Sequence, residues 1–199
     1  MKNILKSMCI AFVVSLLFSL VPFEGECREI SDKVFRIHIL ANSDSEEDQK
    51  LKLQVRDAIL KKSEELFSDA QDKEQAKKLA QENIDLLTQT AQNTVYEQGY
   101  AYPVTASIKN MYFTTRYYGD VTMPSGVYDA LQIRIGDADG KNWWCVMYPS
   151  LCLSLADEES SLKGELTPSQ YSIVTSDGKF ELRFKAVEIF NKIIDFFSK

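Results

Sequence analysis

The spacing of apolar residues changes twice along this chain, and this change constrains the fold more than any other feature. Phe35, Ile37 and Ile39 alternate with polar residues, which is the period of a β-strand with one buried face. From about residue 45 to 97 apolar residues recur every three or four positions, which predicts helices. After Tyr102 the period returns to two. A strand, then helices, then more strands predict an α+β fold.

Two helices are predicted in the middle of the chain. The first runs from about residue 45 to 68, and Ser43 and Glu46 have the spacing of a capping box at its start. Two further candidates for its cap are Asp44 and Ser45. The second helix runs from about residue 73 to 97. Together the two helices are expected to form a hairpin across one face of the sheet.

Strands are predicted on both sides of short turns after residue 102. Alternation continues to Tyr118, and MPSG at 123–126 is typical of a turn. Residues 131–135 and 142–148 are joined by the loop GDADGK, which predicts that these two strands pair as an antiparallel hairpin. We therefore expect an antiparallel sheet of about four to five strands.

The end of the chain is predicted to add a loop and a helix. Residues 156–170 are polar and acidic, which is typical of a surface loop. Residues 180–199 predict a short strand followed by a helix with a wide apolar face. Such a face usually packs into a core, and docking on a membrane surface or a partner is the alternative. The expected fold is thus an antiparallel sheet packed by a two-helix hairpin and a C-terminal helix.

An apolar segment near the N-terminus predicts export. Two lysines precede an uncharged run over residues 7–23, which is the pattern of a signal sequence. A cut after Cys27 would make residues 1–27 a signal peptide and residues 28–199 a single exported α+β domain. The alternative is an uncleaved, short membrane anchor. In both cases the lysines stay in the cytoplasm and the rest of the chain lies outside.

The cysteines predict a disulfide. Removal of residues 1–27 would leave Cys145 and Cys152 as the only two cysteines, and an exported chain with one pair commonly bonds them. Their spacing is not that of a C-x-x-C redox motif. With a single histidine and no third thiol, the chain lacks the ligands of a structural zinc site. We expect no metal and no cofactor.

The charge balance argues against nucleic acid as a partner. The formal net charge is −6, the isoelectric point is about 5.0, and the basic residues are scattered. Nucleic-acid binding needs a basic surface that neutralises phosphates.

One cluster of residues raises the question of catalysis. His38 lies a few positions before Ser43 and Asp44. Catalytic triads are not built from sequence neighbours, and the G-x-S-x-G motif is missing. Helix capping explains Ser43 and Asp44, and a place on the polar face of the strand explains His38. We predict no catalytic residues, with an exported hydrolase that uses His38 and nearby acids as the alternative.

The two tryptophans are adjacent in a predicted strand. Trp143 and Trp144 must point to opposite faces, because side chains alternate along a strand. One is expected to pack in the core and the other to be exposed or covered by the disulfide turn. An exposed tryptophan beside a crosslink suits a protein partner. The alternative is that the domain itself covers both.

Three stretches of the chain resemble the stage II sporulation protein R family of endospore-forming bacteria. They are FRIHILANSDSEEDQKLKLQVRDAIL (35–60), MPSGVYDALQIRIGDADGKNWWCVMYPSLC (123–152) and FELRFKAVEIFNKI (180–193). They follow one another in the family's order, after a signal segment such as the family carries. The acidic loop at 156–165 has no match in the family pattern.

The resemblance implies a function in signalling. Family members are made in the forespore and exported into the space between the forespore and mother-cell membranes. There they activate a membrane-embedded aspartic protease, which cleaves the precursor of the mother-cell sigma factor, sigma-E. The resemblance thus implies a protein that is not an enzyme and that meets a membrane only through its signal segment. The residues that we expect on the partner surface are Arg36, His38, Asn42, Ser43, Asp44, Asn142, Trp143 and Trp144.

Overall fold

The computed structural model describes residues 2–149, 158–175 and 179–197. It confirms the α+β class. The elements in chain order are α1 (Lys2–Asp32), β1 (Phe35–Leu40), α2 (Glu46–Phe67), α3 (Lys73–Glu82), α4 (Ile84–Glu97), β2 (Val104–Phe113), β3 (Arg116–Tyr118), β4 (Val121–Met123), β5 (Gly126–Ile135), β6 (Asn142–Tyr148), α5 (Glu158–Glu165), α6 (Pro168–Thr175) and α7 (Glu181–Phe197).

The chain divides into two units, each built from segments that are distant in sequence. Unit 1 comprises Met1–Ser31, Tyr112–Val127 and Thr167–Lys199. Unit 2 comprises Asp32–Met111 and Tyr128–Leu166. The expectation of one exported domain over residues 28–199 stays a prediction.

The main sheet has four strands in the order β2-β5-β1-β6. Strand β1 pairs with β5 in parallel and with β6 in antiparallel orientation. The sheet is mostly antiparallel, and its four strands are within the predicted number. Strands β3 and β4 form a separate two-stranded antiparallel pair.

The predicted hairpin between residues 131–135 and 142–148 is wrong, because β1 lies between these strands. Ile37 has Leu131 of β5 as its register partner on one side and Cys145 of β6 on the other. A strand that is buried on both faces, as β1 is from Phe35 to Ile39, is stabilised by pairing along both edges. The hairpin signal in the sequence came from a loop that crosses the end of β1.

The helices of unit 2 cover one face of the sheet. Helix α2 begins and ends within one residue of its predicted bounds, and it packs against α4 as expected of the hairpin. The predicted second helix is divided at Asn83, whose side chain Nδ2 donates to the carbonyl of Leu79 at 2.9 Å. A side chain that bonds to the helix backbone in this way competes with continuation of the helix.

A partly buried ion-pair cluster holds α3 against the same face. Asp129 of β5 accepts from Lys73 Nζ at 2.9 Å and from Lys77 Nζ at 3.0 Å. Burial opposes ionisation of this carboxyl, but the hydrogen bonds outweigh burial and hold the pKa of Asp129 below its ordinary value. Asp129 is the register partner of Phe35, whose ring contacts that of Phe67 at the end of α2. We call the face that carries Phe35 and Asp129 the helix-covered face.

The opposite face of the sheet carries the alternate residues. Arg36 and His38 of β1 point to it, with Gln132 of β5 and Trp144 of β6 as the register partners of His38. We call it the polar face.

The C-terminal part of the chain contains helices that the sequence did not predict, α5 in unit 2 and α6 in unit 1. Residues 156–170 were expected to be a loop, but α5 and α6 are helical over their described part, and residues 156 and 157 lie outside it. The prediction was wrong because Leu162 and Leu166, one turn apart, form a small buried stripe in α5 and just beyond its end. The short strand expected near residue 180 is also wrong, since α7 begins at Glu181.

The end of α1 packs into unit 1. Phe23 and Cys27, four residues apart, are both buried, and the ring of Phe23 stacks on Phe180 at 5.6 Å. Burial raises the pKa of the Cys27 thiol to about 12, with further contributions from two nearby glutamates. None of the helices in the described part of the chain has the length and apolarity of a membrane span. The signal peptide, the cut after Cys27 and the alternative anchor stay predictions.

The loop between β5 and β6 closes over the end of β1. The backbone N–H of Gly140 donates to Ala41 at 3.0 Å, and that of Asp139 donates to Asn42 at 3.1 Å. A Cβ atom on Gly140 would lie 2.1 Å from the carbonyl oxygen of Ser43. Gly140 is therefore required by the close approach of two backbones.

We expect Gly140→Ala to destabilise unit 2 by more than about 2 kcal/mol, because a backbone segment must move to admit the methyl group. Urea unfolding monitored by tryptophan fluorescence measures this change. Gly164→Ala is the matched control, since Gly164 lies in α5 with nothing within 4 Å of its added Cβ. The control is expected to be neutral or stabilising by about 0.5–1 kcal/mol. Equal stability of the two variants would contradict the close approach.

Candidate functional site

All the candidate residues except Arg36, which lies near the start of β1, come together at one end of the main sheet. Arg36 and His38 lie on β1, the segment Asn42–Asp44 follows it, and Asn142–Trp144 begin β6. The antiparallel register places His38 opposite Trp144. Residues separated by about a hundred positions in sequence therefore share one region of unit 2.

His38 is buried in a stack and holds two hydrogen bonds. Its ring lies parallel to that of Trp144, with centroids 3.8 Å apart and planes 4° apart. Nε2 lies 2.7 Å from Asn142 Oδ1, and Nδ1 lies 3.2 Å from Gln132 Nε2. An amide oxygen accepts and an amide nitrogen donates, so a neutral ring with its proton on Nε2 satisfies both contacts. The ring thereby links three strands.

Arg36 is completely buried. Its Cζ lies 4.8 Å from the centroid of the Tyr128 ring, and its Nε donates to the carbonyl of Cys145 at 3.5 Å. The expectation that Arg36 and His38 lie on an exposed polar face is therefore wrong. Arg36 Nε and both ring nitrogens of His38 have hydrogen-bond partners on β5 or β6, and both edges and both faces of β1 are covered.

The two tryptophans point to opposite faces, as predicted. Arg56 of α2 lies over the ring of Trp143, with its Cζ 5.4 Å from the centroid, whereas Trp144 stacks on His38. Both are half-buried, so neither is a core residue or a fully exposed one. Asn142, beside them, is exposed.

The predicted disulfide involves a residue outside the described part of the chain. Cys145 is buried in β6, and Cys152 lies in the gap between residues 149 and 158. The bond between them stays a prediction.

Asp48 is the residue of this region that the sequence did not identify as important. It is 4% exposed, and its Oδ2 accepts from Asn42 Nδ2 at 2.8 Å and from Ser43 Oγ at 2.6 Å. Its backbone N–H donates to Ser45 Oγ at 3.1 Å, which makes Ser45 the helix cap. The expected capping box of Ser43 and Glu46 is thus wrong. In the sequence, the signal that identifies Ser45 as the cap and Asp48 as its partner is their S-x-x-D spacing.

Hydrogen bonds control the charge of Asp48. Burial raises the pKa of this carboxyl, but hydrogen bonds from Ser43, Asn42, Tyr102 and Ser45 outweigh burial and lower the pKa below its ordinary 3.8. The hydroxyl of Tyr102 comes from the segment between α4 and β2. Asp48 therefore ties three parts of unit 2 to one ionised group.

Asn42 and Asp44 fix the loop between β5 and β6. Asn42 Oδ1 accepts from the backbone N–H of Asp137 at 3.0 Å, and Asp44 Oδ1 accepts from that of Lys141 at 2.7 Å. Lys52 of α2 donates from Nζ to the carbonyl of Lys141 at 3.0 Å. Burial is the main cause that lowers the pKa of Lys52. Both loops at this end are thus held by side-chain to backbone hydrogen bonds.

The exposed surface above these loops is acidic. We call it the acidic corner, and its members are Asp44, Glu46, Glu47, Asp137 and Asp139. Lys141 and Asn142 are exposed beside it. Within residues 2–149, 158–175 and 179–197, no group of His, Cys, Asp and Glu side chains is arranged to hold a metal ion.

The arrangement does not assemble a catalytic triad from His38, Ser43 and Asp44. Ser43 Oγ donates to Asp48 and accepts from the backbone N–H of Ser45. His38 has an amide at each ring nitrogen. These side chains hold strands and loops in place, and what they present to solvent is a fixed surface.

We expect Asp48→Asn to lower the free energy of unfolding of unit 2 by about 1–3 kcal/mol at pH 7, because charged hydrogen bonds to a buried group are lost. Because folding lowers the pKa of Asp48, the ionised carboxylate stabilises the folded state at pH values above its pKa in the unfolded chain, near 3.8. This stabilisation is lost as the pH falls through the lower pKa of the folded state. Urea unfolding at pH 7 and pH 3 is the measurement.

The matched control is Asp57→Asn, because the side chain of Asp57 is 65% exposed on the same helix. Its stability difference from the unsubstituted chain should be small at both values of pH. A stability loss for Asp48→Asn that is the same at pH 3 as at pH 7 would contradict the role of the ionised carboxylate.

Comparison with known proteins confirms the family. A family model described as Stage II sporulation protein R matches residues 31–158. Stage II sporulation protein R of Bacillus subtilis (strain 168) is 36% identical over 123 residues, which are 62% of this chain. The match spans only 55% of that relative's length. No solved structure matches the chain. By the match of the family model to most of its length, this chain belongs to the stage II sporulation protein R family.

Proposed function

We propose that this chain is an exported intercellular signal of endospore formation, which activates a membrane-embedded aspartic protease and so triggers processing of the sigma-E precursor in the mother cell. Membership of the stage II sporulation protein R family is the observation that carries the proposal. The basic and apolar N-terminal pattern supports export, into the space between the forespore and mother-cell membranes.

The geometry supports a binding function and gives little support to the alternative, a hydrolase. A general base needs a ring nitrogen within reach of the proton that it removes. Both ring nitrogens of His38 face amides, and Ser43 is bonded to Asp48. A hydrolase would have to break these contacts before it could act.

The acidic corner is the surface that we propose for the contact with the protease. Its loops are fixed by Asp48, by Gly140 and by the bonds from Asn42 and Asp44. A surface that is fixed before binding loses less conformational entropy on association. Its negative charge suits a basic region of the partner and would raise the rate of encounter.

Arg36 and His38 are buried, and they contribute to this surface by positioning the strands that carry it. They hold β6 against β1 and keep Trp144 in its stacked position. Exposed Asn142 and half-buried Trp144 are then the members of the predicted set that a partner can touch together with Asp44.

Activation by binding requires a difference in affinity. The chain must bind the active state of the protease more tightly than the inactive state, since a ligand shifts an equilibrium only by that difference. Stabilisation of a protease dimer is one way to meet this requirement.

The proposal predicts that addition of the purified chain is sufficient to start processing of the precursor by the protease. The protease and its precursor substrate are placed in one membrane preparation, and the purified chain is added from the outer side. Cleavage is expected only with the chain present. Cleavage at the same rate without it, or no cleavage with a chain shown to be folded, would contradict the proposal.

A pair of double variants tests the contact surface. Asp137→Asn with Asp139→Asn removes two charges of the acidic corner, and we expect processing at limiting concentration of the chain to fall about three- to tenfold. Asp57→Asn with Asp69→Asn removes two exposed charges elsewhere and should leave processing unchanged. An equal loss in both double variants would show that net charge, and not this surface, is what the partner reads.

A further inference from the structure

We infer that the outer edge of β2 is a second interaction surface, which takes up an extended, acidic segment of the partner as a fifth strand. The inference rests on the proposed function in one respect, because the partner is the aspartic protease. It concerns residues 105–111, which belong to unit 2.

Strand β2 stands at the end of the sheet. The order β2-β5-β1-β6 leaves its outer edge without a neighbouring strand in the part of the chain that the structure describes. At one end of this edge Gln92 Oε1 already accepts from the backbone N–H of Val104 at 2.8 Å, so the accessible length is residues 105–111, about 23 Å at the usual rise of a strand. In an antiparallel strand alternate residues direct both N–H and C=O to the same side, so every second residue presents these groups outward.

Both faces of β2 are also accessible. From Thr105 to Tyr112 every residue is exposed or half-buried, and only Val104 and Phe113 at the two ends are buried. The other terminal strand differs, since Cys145–Tyr148 of β6 are all buried. A long, accessible terminal strand is the element to which extended peptides add.

The charges around β2 select the chemistry of the added strand. Asn110 Nδ2 donates to Asp129 Oδ1 at 3.3 Å, which places Asn110 on the helix-covered face. Lys109, its neighbour, therefore lies on the polar face and is exposed. Arg134 of β5 is exposed on the same face.

This face carries cations and no carboxylate. Asp129 is the only acidic residue in the four strands, and it is bonded to Lys73 and Lys77 on the other face. In a chain of net charge −6, a sheet face whose four strands contribute cations and no carboxylate is a local exception. It fits a segment whose own alternate residues include Asp or Glu opposite Lys109.

Lys109→Glu tests the charge, with Lys61→Glu as the matched control, because Lys61 is an exposed lysine on α2. The measurements are the affinity of the full chain for the protease in detergent and the rate of precursor processing. We expect Lys109→Glu to weaken binding about three- to tenfold and Lys61→Glu to leave it unchanged. Equal affinities would overturn the inference.

Two proline variants test the backbone. Of the neighbours Ser107 and Ile108, one directs its N–H to β5 and the other directs it outward. Proline removes that N–H, so Ser107→Pro and Ile108→Pro are compared by thermal unfolding. We expect the variant that keeps the native midpoint to lose binding to the protease, since it lacks an outward donor. Native binding by a fully folded proline variant would overturn the inference.

Two outcomes distinguish failure of this inference from failure of the proposed function. If the unsubstituted chain fails to activate processing, the proposed function fails. If it activates processing and the β2 variants behave like it, only the docking strand is wrong. A second copy of the chain is the other possible occupant, and a dimer in sedimentation that the folded proline variant abolishes would overturn the assignment to the protease.

Discussion

Pairing of β1 along both of its edges is the constraint on which the candidate surface depends. The strand has β5 on one side in parallel and β6 on the other in antiparallel orientation. To allow this, the loop between β5 and β6 must cross the end of β1, where the chain also turns into α2. Two loops therefore meet over one strand end, and Gly140 permits their contact. The acidic corner is the outer surface of this crossing.

Hydrogen bonds of the buried groups His38 and Asp48 stabilise the arrangement in this region. A buried donor or acceptor without one costs about 1–3 kcal/mol, and more when the group is charged. His38 bonds to two amides, and Asp48 accepts from several donors. Residues that resemble a catalytic cluster in the sequence thus hold strands and loops in place beneath an exposed surface.

The sequence predicted the elements whose signals are local. The apolar stripe and acidic first turn of α2 lie within one segment, so its bounds followed from spacing alone. The sequence could not predict that β1 separates β5 from β6, because strand order depends on contacts between residues far apart. The burial of Arg36 and His38 follows from that order, and so it was missed as well. In α5, two leucines outweigh a polar composition only once other parts of the chain surround them.

The candidate site was predicted in part. The partner surface stays a prediction, although the structure brings its predicted segments around Asn42 and Asn142 together. The sequence did not show which members are buried supports and which are accessible. Ser45 was among the predicted caps and the structure selects it, whereas the role of the Asp48 carboxylate became visible only through its bond from Ser43.

Amide hydrogen exchange of the full chain, alone and mixed with the proposed protease partner, tests the central claim most directly. The claim is that a doubly paired β1 supports a surface that is fixed before the partner arrives. The amides of Ile37 and Ile39 should then be among the slowest of unit 2 in both states, and binding should add protection at residues 137–142 and 105–111. Exchange of the β1 amides at the rate of exposed loops would contradict the claim, as would new protection confined to other segments.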